Sequence, residues 1–280
     1  MLRRSFLLAT VALAFAPGCA GAVSPRRLSF SGPLKQGGLV IGTAERGAQV
    51  SVDRVPVLVS PDGLFACGLE YDQKSSTLVM ARFADGATET QELTPEVRKY
   101  GVQRINGLPE QEAHPTEPEI VARVARENAL IVAARRHDTP GTAFSESLDW
   151  PVPGIVSSLF GSQRILNGIP SAPHFGIDIA APEGTPIHAA TDGAVVLAEP
   201  DFYLTGGTTV LDHGHGVFTM YLHQSALKAK VGDAVKRGDT IGLVGMKGRA
   251  TGPHLHWGLN WFQMKLDPSL STRTPLPAKA

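Results

Sequence analysis

Short apolar runs separated by turn residues dominate the first third of the chain. Asp62-Gly63 and Asp85-Gly86 are turn signals, and around them apolar and polar positions alternate with the period of a β-strand. Candidate strands cover residues 38–43, 49–52, 55–59, 64–69 and 77–83. We therefore predict a small antiparallel β-sandwich, loosely Ig-like, within an N-terminal module of residues 23–94.

A polar, proline-containing stretch follows, and it contains the clearest helical pattern. Residues 95–149 form a predicted connector, in which Thr116-Glu117-Pro118-Glu119 has the pattern of a capping box with proline in the first turn. Apolar side chains then recur at helical spacing, and Arg135 and Arg136 lie near the end, where a helix favours cations. This pattern predicts a helix over residues 117–137 that serves for packing.

Strand patterns return after residue 150. The candidates cover residues 193–198, 208–212, 217–223, 234–235, 240–244 and 254–261, and a predicted hairpin turn lies at residues 213–216. These strands do not alternate with helices, which argues against a parallel sheet. The predicted fold class is mainly β: the N-terminal module, a connecting helix, an antiparallel C-terminal domain of residues 150–270, and a tail of residues 271–280.

Composition narrows the function classes. The chain has 280 residues, enough for two domains, and its 26 basic side chains balance 26 acidic ones. This balance gives no bulk attraction to nucleic acid or to an anionic membrane. Two cysteines do not make a disulfide framework, and Cys67 lies in an apolar run that predicts a buried thiol.

The first 22 residues have the pattern of a signal peptide. Arg3 and Arg4 form a charged start, residues 6–16 are apolar but short for a membrane span, and Ala20-Gly21-Ala22 is a cleavage site. The paired arginines fit a twin-arginine signal as well as a general secretory one. A third alternative is a lipoprotein signal ending at Cys19, which would anchor the chain to a membrane, although the preceding residues match such signals poorly. We expect an exported protein of the periplasm or cell envelope.

Two clusters of histidine and aspartate carry the candidate chemistry. His254 and His256 are two apart, so on a strand they face the same side. His174 and Asp178 lie four apart and would be roughly 13 Å apart if fully extended, so the chain must bend, and Gly176 permits a bend. Two or three imidazoles with one carboxylate are the ligand set of a catalytic zinc ion that keeps one position open.

The C-terminal half resembles the lysostaphin/LytM-type zinc peptidases, which cut peptidoglycan peptides. The resemblance covers about residues 150 to 268 and depends on several motifs in the family's order. They include Phe160-Gly161, His174-Phe175-Gly176-Ile177-Asp178, Gly184-Thr185-Pro186-Ile187, Asp212-His213-Gly214, Tyr221-Leu222-His223, Gly232-Asp233-Ala234-Val235 and Thr251-Gly252-Pro253-His254-Leu255-His256-Trp257.

The resemblance implies roles for individual residues. It assigns His174, Asp178 and His256 to one Zn²⁺ per chain, and it places His223 and His254 near the metal as catalytic groups. Three ligands leave the metal a position for water, while five would close it. Histidine suits proton transfer because its pKa lies near neutral pH, but the sequence does not show which of the two is the base.

Other polar and aromatic residues have weaker claims. His213 and His215 lie in the predicted turn and His188 follows an apolar strand, so we expect structural roles for all three. Tyr203 lies in a polar loop and is the best aromatic candidate for the substrate groove. Asp192 and Asp212 have the pattern of turn residues, and either could instead orient a histidine.

The resemblance implies an exported zinc endopeptidase that hydrolyses the peptide cross-links of bacterial peptidoglycan, with peptide stems as the partner. A D-alanyl–diaminopimelate cross-link is the first candidate bond and a glycine bridge the second. The alternative is a catalytically silent LytM-type protein that activates another cell-wall hydrolase. The retained ligand positions favour the enzyme, and the N-terminal module would then position or restrain the peptidase domain.

Overall fold

The computed structural model describes residues 27–275. The predicted signal peptide, Cys19 and the last five residues lie outside this range. Within it the chain is mainly β, as predicted. No helix in the described range is long and apolar enough to cross a membrane.

The N-terminal module consists of two antiparallel sheets around one apolar core. Its strands are β1 (Leu28–Ser31), β2 (Leu39–Ala44), β3 (Gln49–Val52), β4 (Val55–Val57), β5 (Leu64–Gly68), β6 (Thr77–Arg82) and β7 (Thr88–Leu93). The sheets run β1-β2-β5 and β4-β3-β6-β7. All five expected strands are present, while β1 and β7 were missed because both are sheet edges, β7 with mostly polar side chains. Cys67 is fully buried in β5, and an Ig-like topology stays a prediction.

The segment between module and C-terminal domain contains more structure than its composition suggests. It holds β8 (Val102–Ile105), α1 (Glu110–Ala113) and α2 (Pro118–Ala134). Strand β8 pairs in parallel with β10 (Gln163–Leu166), although no parallel pairing was expected. Periodicity could not reveal β8, because its pairing partner lies about sixty residues away and the strand is only four residues long.

Helix α2 forms close to where it was predicted, but its start differs. Glu117 is the N-cap and its side chain makes no capping hydrogen bond. Thr116 instead exchanges hydrogen bonds with the side chain of Gln111, so the expected capping box is wrong. The helix packs through Ile131 and Ala134 against the central sheet, in a cluster that includes Phe202 and Phe218.

One large antiparallel sheet dominates the C-terminal domain. The strands of this half are β9 (Ile155–Ser158), β10, β11 (Ile169–Pro170), β12 (Ile177–Ala180), β13 (Pro186–His188), β14 (Gly193–Phe202), β15 (Gly206–Asp212), β16 (Val217–Gln224), β17 (Ala226–Leu227), β18 (Ala234–Val235), β19 (Thr240–Leu243), β20 (His254–Trp261) and β21 (Met264–Leu266). The strand order of the large sheet is β18-β14-β15-β16-β20-β12-β9, with β21 also paired to β20. A smaller sheet, β13-β19-β17, packs beside it, and the hairpin at residues 213–216 joins β15 to β16 as predicted.

The N-terminal module and the C-terminal domain share one core. Gly68 at the end of β5 lies so close to Trp261 of β20 that an added Cβ would come within 2.8 Å of the tryptophan Cβ. The backbone N–H of Lys265 donates to the Glu70 carboxylate, and Arg98 forms a 2.7 Å ion pair with the buried Asp267. The module is therefore packed on the strand that carries two candidate site histidines.

This close contact can be tested with a single methyl group. We expect Gly68→Ala to lower the free energy of unfolding by about 1–3 kcal/mol, because the added carbon overlaps Trp261. The control is Gly101→Ala, where an added Cβ meets no atom within 4 Å. Chemical denaturation of both variants measures the difference, and equal stabilities would show that module and domain are not tightly packed.

Candidate metal centre

Three neighbouring strands converge on the candidate site. Strand β12 pairs with β20 so that Asp178 lies opposite His256. Strand β16 pairs with the other edge of β20, placing Leu222 opposite the same histidine. The period-two alternation of β20 puts His254 on the same face as His256. This register brings together all five residues that the sequence singled out as ligands or catalytic groups.

Three side-chain atoms form a compact triangle. The Nε2 of His174, the Oδ1 of Asp178 and the Nδ1 of His256 are each 2.9 Å from the other two. These residues form a candidate metal-binding group in the described chain. The edges of a zinc tetrahedron with bonds of about 2.0 Å are roughly 3.3 Å long, so the donor set matches a small cation in size and chemistry.

Gly176 is required by this triangle for a different reason than we expected. Its φ is not among the positive values of the chain, so glycine is not needed for the bend. Instead, an added Cβ would clash with the imidazole of His256 and lie 2.7 Å from the carbonyl oxygen of Trp257. The absence of a side chain lets the segment with His174 and Asp178 approach β20 closely.

Hydrogen bonds behind His174 set its tautomer. Its Nδ1 lies 3.2 Å from the carbonyl oxygen of Leu159 and 3.0 Å from the hydroxyl of Ser158. A carbonyl only accepts, so Nδ1 carries the proton. The Ser158 hydroxyl in turn donates to the Gln103 amide oxygen at 2.8 Å. The Nε2 of His174 is therefore left with a lone pair that points at Asp178 and His256, as a metal ligand requires.

Charge and burial also favour a cation in the triangle. Burial alone would raise the pKa of Asp178, but His174 and His256 hold that pKa well below its usual value. Arg164 donates to the second carboxylate oxygen at 2.9 Å. Burial lowers the pKa of His256 to about 4, against the opposing effect of Asp178. At neutral pH the site thus offers an ionised carboxylate and a neutral imidazole on His256.

His223 and His254 stand beside the triangle with their rings 4.7 Å apart. The Nδ1 of His223 donates to the carbonyl of Lys247, and that of His254 donates to the carbonyl of Gly252, each at 2.8 Å. Both rings therefore keep an Nε2 lone pair, and that of His254 lies 3.8 Å from Asp178 Oδ1. Burial lowers the pKa of His223 to about 3, with further lowering from the neighbouring histidines.

His223 has an unusual backbone. Its φ is +64°, and the register between β15 and β16 shifts at this point of the strand. A bulge of this kind re-aims a side chain, and a positive φ on a non-glycine residue is a strain that clusters at functional sites. The distortion turns His223 towards the triangle.

Comparison with known proteins agrees with this geometry. Residues 172–268 match the model of Peptidase family M23. A crystal structure from Pseudomonas aeruginosa, described as a peptidase M23, superposes with a TM-score of 0.66 at 31% identity, covering 84% of this chain and 93% of that one. The chain belongs to peptidase family M23. The family resemblance found in the sequence is confirmed.

Curated relatives of this M23 chain share only part of their length with it. Over 88 residues it is 48% identical to the peptidoglycan DD-endopeptidase ShyA of Vibrio cholerae, covering 31% of this chain and 20% of that protein. Over 105 residues it is 40% identical to the DD-carboxypeptidase/endopeptidase Mpg of Neisseria meningitidis, covering 37% and 24%. The chain thus spans about a fifth to a quarter of these relatives.

The other histidines of the M23 domain lie away from the triangle. The Nδ1 of His213 lies 2.6 Å from the carbonyl of Asp192, and its Nε2 lies 2.7 Å from the hydroxyl of Thr219. His215 stacks on Phe144, and the Nδ1 of His188 lies 2.9 Å from the Gly238 carbonyl. These contacts agree with the structural roles expected for all three.

Tyr203 is placed against helix α2. Its backbone N–H donates to the Glu127 carboxylate, and the Arg123 guanidinium lies 5.6 Å from its ring. Tyr203 does not line the cavity beside the triangle. Its role in a substrate groove stays a prediction. The Asp212 carboxylate accepts from the backbone N–H of Gly214, as a turn residue does, whereas the Asp192 carboxylate accepts from the backbone N–H of Arg237, 45 residues away. The backbone carbonyl of Asp192 lies 2.6 Å from Nδ1 of His213 and orients that ring.

Several residues that touch the site were not predicted from the sequence. Ser158 and Gln103 support His174, and Arg164 contacts Asp178. Polar side chains of this kind are common on surfaces and carry no spacing signal. Gln103 was the hardest to find, since it reaches the site only through the parallel pairing of β8 with β10.

His213 makes a pH-dependent contribution to stability that can be isolated. Burial lowers its pKa, so the folded protein disfavours protonated His213. Stability is therefore complete above the unfolded pKa of about 6.5 and falls as the pH drops below it, by up to about 1.4 kcal/mol per pH unit. Denaturation with a chelator present should show a shallower pH dependence for His213→Gln, which can still donate to Asp192. Identical slopes would contradict the assignment.

Proposed function

We propose that this protein is an exported zinc endopeptidase that hydrolyses peptide cross-links of bacterial peptidoglycan. The observation that carries the proposal is the triangle of His174, Asp178 and His256 with two proton-accepting imidazoles beside it. The names of its relatives, which include DD-endopeptidases, support the substrate class. The predicted signal peptide supports a location in the periplasm or cell envelope.

Zinc is the metal that we propose for the triangle. Two imidazole nitrogens and one carboxylate oxygen form a familiar catalytic zinc set, and three protein ligands leave one position open. The Leu159 carbonyl orients His174, while Arg164 occupies the carboxylate oxygen of Asp178 that faces away from the triangle. A zinc ion bound there supplies a Lewis acid for the scissile carbonyl and lowers the pKa of a bound water towards about 7.

His223 and His254 are proposed to move the protons. Each holds its Nδ1 proton on a backbone carbonyl and keeps Nε2 as an acceptor. One imidazole can take a proton from the attacking water through Nε2, and the protonated ring can then pass it to the departing amine. The other, when protonated, can stabilise the oxyanion that forms on the former carbonyl. The bonds to Lys247 and Gly252 keep both rings oriented throughout.

A D-alanyl–diaminopimelate cross-link is the bond that we propose is cut. The alternative function, a catalytically silent activator of another hydrolase, would need no ordered proton acceptor at this site. Two features favour an enzyme: the strained backbone of His223 and the fixed tautomers of His174, His223 and His254.

Metal dependence is the first test. Purified protein should contain about one zinc per chain, and a chelator should abolish cleavage of defined muropeptides, with recovery when zinc is added. Zinc content is measured by elemental mass spectrometry of the purified protein. Zinc-loaded protein that binds muropeptides without cutting them would favour the activator alternative, and full activity without metal would contradict the metal site.

The roles of ligand and proton carrier can be separated by substitution. His256→Ala should lose zinc and activity together. His223→Ala should keep zinc but lose roughly 100-fold or more in kcat, the usual size of an acid–base contribution. His213→Gln serves as the control, since that histidine lies outside the triangle. If His223→Ala is isolated without zinc, the division of roles is wrong.

A further inference from the structure

A cavity of about 260 Å³ opens beside the metal triangle and contains two arginines. Its wall includes Asp178 and His254 of the site, together with Arg164 and Arg249. We propose that Arg164 and Arg249 bind a free carboxylate of the substrate next to the scissile amide. This proposal rests on the proposed peptidase function and deepens it, because it defines which cross-links the enzyme prefers.

Arg164 has donors to spare. Its Nη2 donates to Asp178, and this is its one side-chain hydrogen bond in the described part of the chain. Its Nε is fully buried and has no partner there. Only about 15% of the side chain is exposed, so water does little to compensate the remaining charge. A guanidinium offers five N–H groups, and a carboxylate is the planar partner that takes two at once.

Arg249 approaches the same cavity from the loop before β20. Its backbone N–H donates to the carbonyl of Leu204, and Gly248 before it packs tightly against the same residue. The guanidinium has one weak contact, 3.4 Å from Nη1 to the carbonyl oxygen of Glu112 in helix α1. The loop is thus held by its backbone while most donors of the side chain stay available.

The charges of the cavity do not balance. Asp178 is the single carboxylate among the lining residues, and its charge is shared with two histidines and any bound metal. Burial lowers the pKa of Arg249, and the nearby charge of Arg164 lowers it further. Two half-buried cations that repel each other are stabilised by an anion placed between them. The cavity therefore favours a substrate with negative charge at this point.

Substrate chemistry identifies which carboxylate would fit. In a D-alanyl–diaminopimelate cross-link, the scissile nitrogen is attached to a carbon that carries a free carboxylate. A glycine bridge has no charged group near its amide bonds. Because the cavity borders Asp178 and His254 directly, a carboxylate one carbon away from the scissile nitrogen lies within reach of the arginines. The pair would select diaminopimelate cross-links over glycine bridges.

The segment between module and domain completes this cavity. Gln103, Ile105 and Leu108 line it from strand β8 and the turn that follows. Arg104, between the first two, points to the opposite side of the strand and is exposed. This alternation provides a control: Arg104→Gln removes a positive charge from the same strand without touching the cavity.

The test compares two substrates and three variants. The substrates are two forms of one cross-linked peptide dimer. In the first the carboxylate beside the scissile amide is free, and in the second it is converted to a primary amide. Wild-type protein should cleave the free acid at least about tenfold more efficiently, mostly through KM, as expected for a charge-assisted hydrogen bond. Arg249→Gln should reduce this ratio to near one, because the free acid loses its advantage over the amide. Arg104→Gln should behave as wild type, and Arg249→Lys should give an intermediate ratio.

Arg164→Gln is a further variant for the same comparison of substrates. Its zinc content is measured as well, because Arg164 also contacts Asp178. Loss of discrimination with zinc retained supports the proposal. Equal cleavage of both substrates by wild type, or an unchanged ratio in Arg249→Gln, would overturn it. If Arg249→Gln also fails on the amide substrate, the charge-retaining Arg249→Lys decides: a ratio equal to wild type would refute bidentate binding.

Direct binding separates this proposal from the proposed function. Titration calorimetry of both peptides with zinc-loaded His223→Ala protein should show about tenfold tighter binding of the free acid. This difference should disappear in the double variant His223→Ala/Arg249→Gln. Selective binding without cleavage by wild type would leave the carboxylate site standing and refute the peptidase. Cleavage without selective binding would support the peptidase and refute the carboxylate site.

Discussion

Three electron-rich atoms held 2.9 Å apart impose the main constraint on this molecule. Without a cation between them, two imidazole nitrogens and a carboxylate oxygen share too few protons to satisfy every lone pair, and burial raises the free-energy cost of this arrangement. The fold maintains it through the antiparallel register that places Asp178 opposite His256, through the side-chain-free position 176, and through the Leu159 carbonyl that holds the His174 proton. The neighbouring sheet can be understood as the support for this arrangement.

The same physical logic extends outward from the triangle. His174, His223 and His254 each have the far nitrogen bonded to a backbone carbonyl, and His174 also has a hydroxyl there. Backbone acceptors are rigid because strands and tight loops hold them, so the tautomers do not depend on mobile side chains. The strained backbone at His223 is accepted because it completes this pattern.

The sequence predicted structure correctly where periodicity or motif spacing carried the information. The alternation in residues 254–261 predicted both β20 and the shared face of its two histidines, and five of the N-terminal strands appeared within a few residues of their expected bounds. It failed where structure depends on distant pairing. Strand β8 is defined by its partner β10, and the positions of Gln103, Arg164 and Arg249 follow from that pairing and from loop packing. The role of Gly176 was mistaken because a close approach in space leaves the same sequence signal as a turn.

The shared core has a mechanical consequence. Gly68 packs against Trp261, and the Glu70 carboxylate accepts from the backbone N–H of Lys265. The carbonyl of Gln36 accepts from Arg98, which is ion-paired with Asp267 after β21. Lifting the module away would expose Trp261 and Leu266 to water and would loosen the strand that holds His254 and His256. The module therefore shares a core with β20, so that a substitution at its contact with Trp261 can alter the strand that carries His254 and His256.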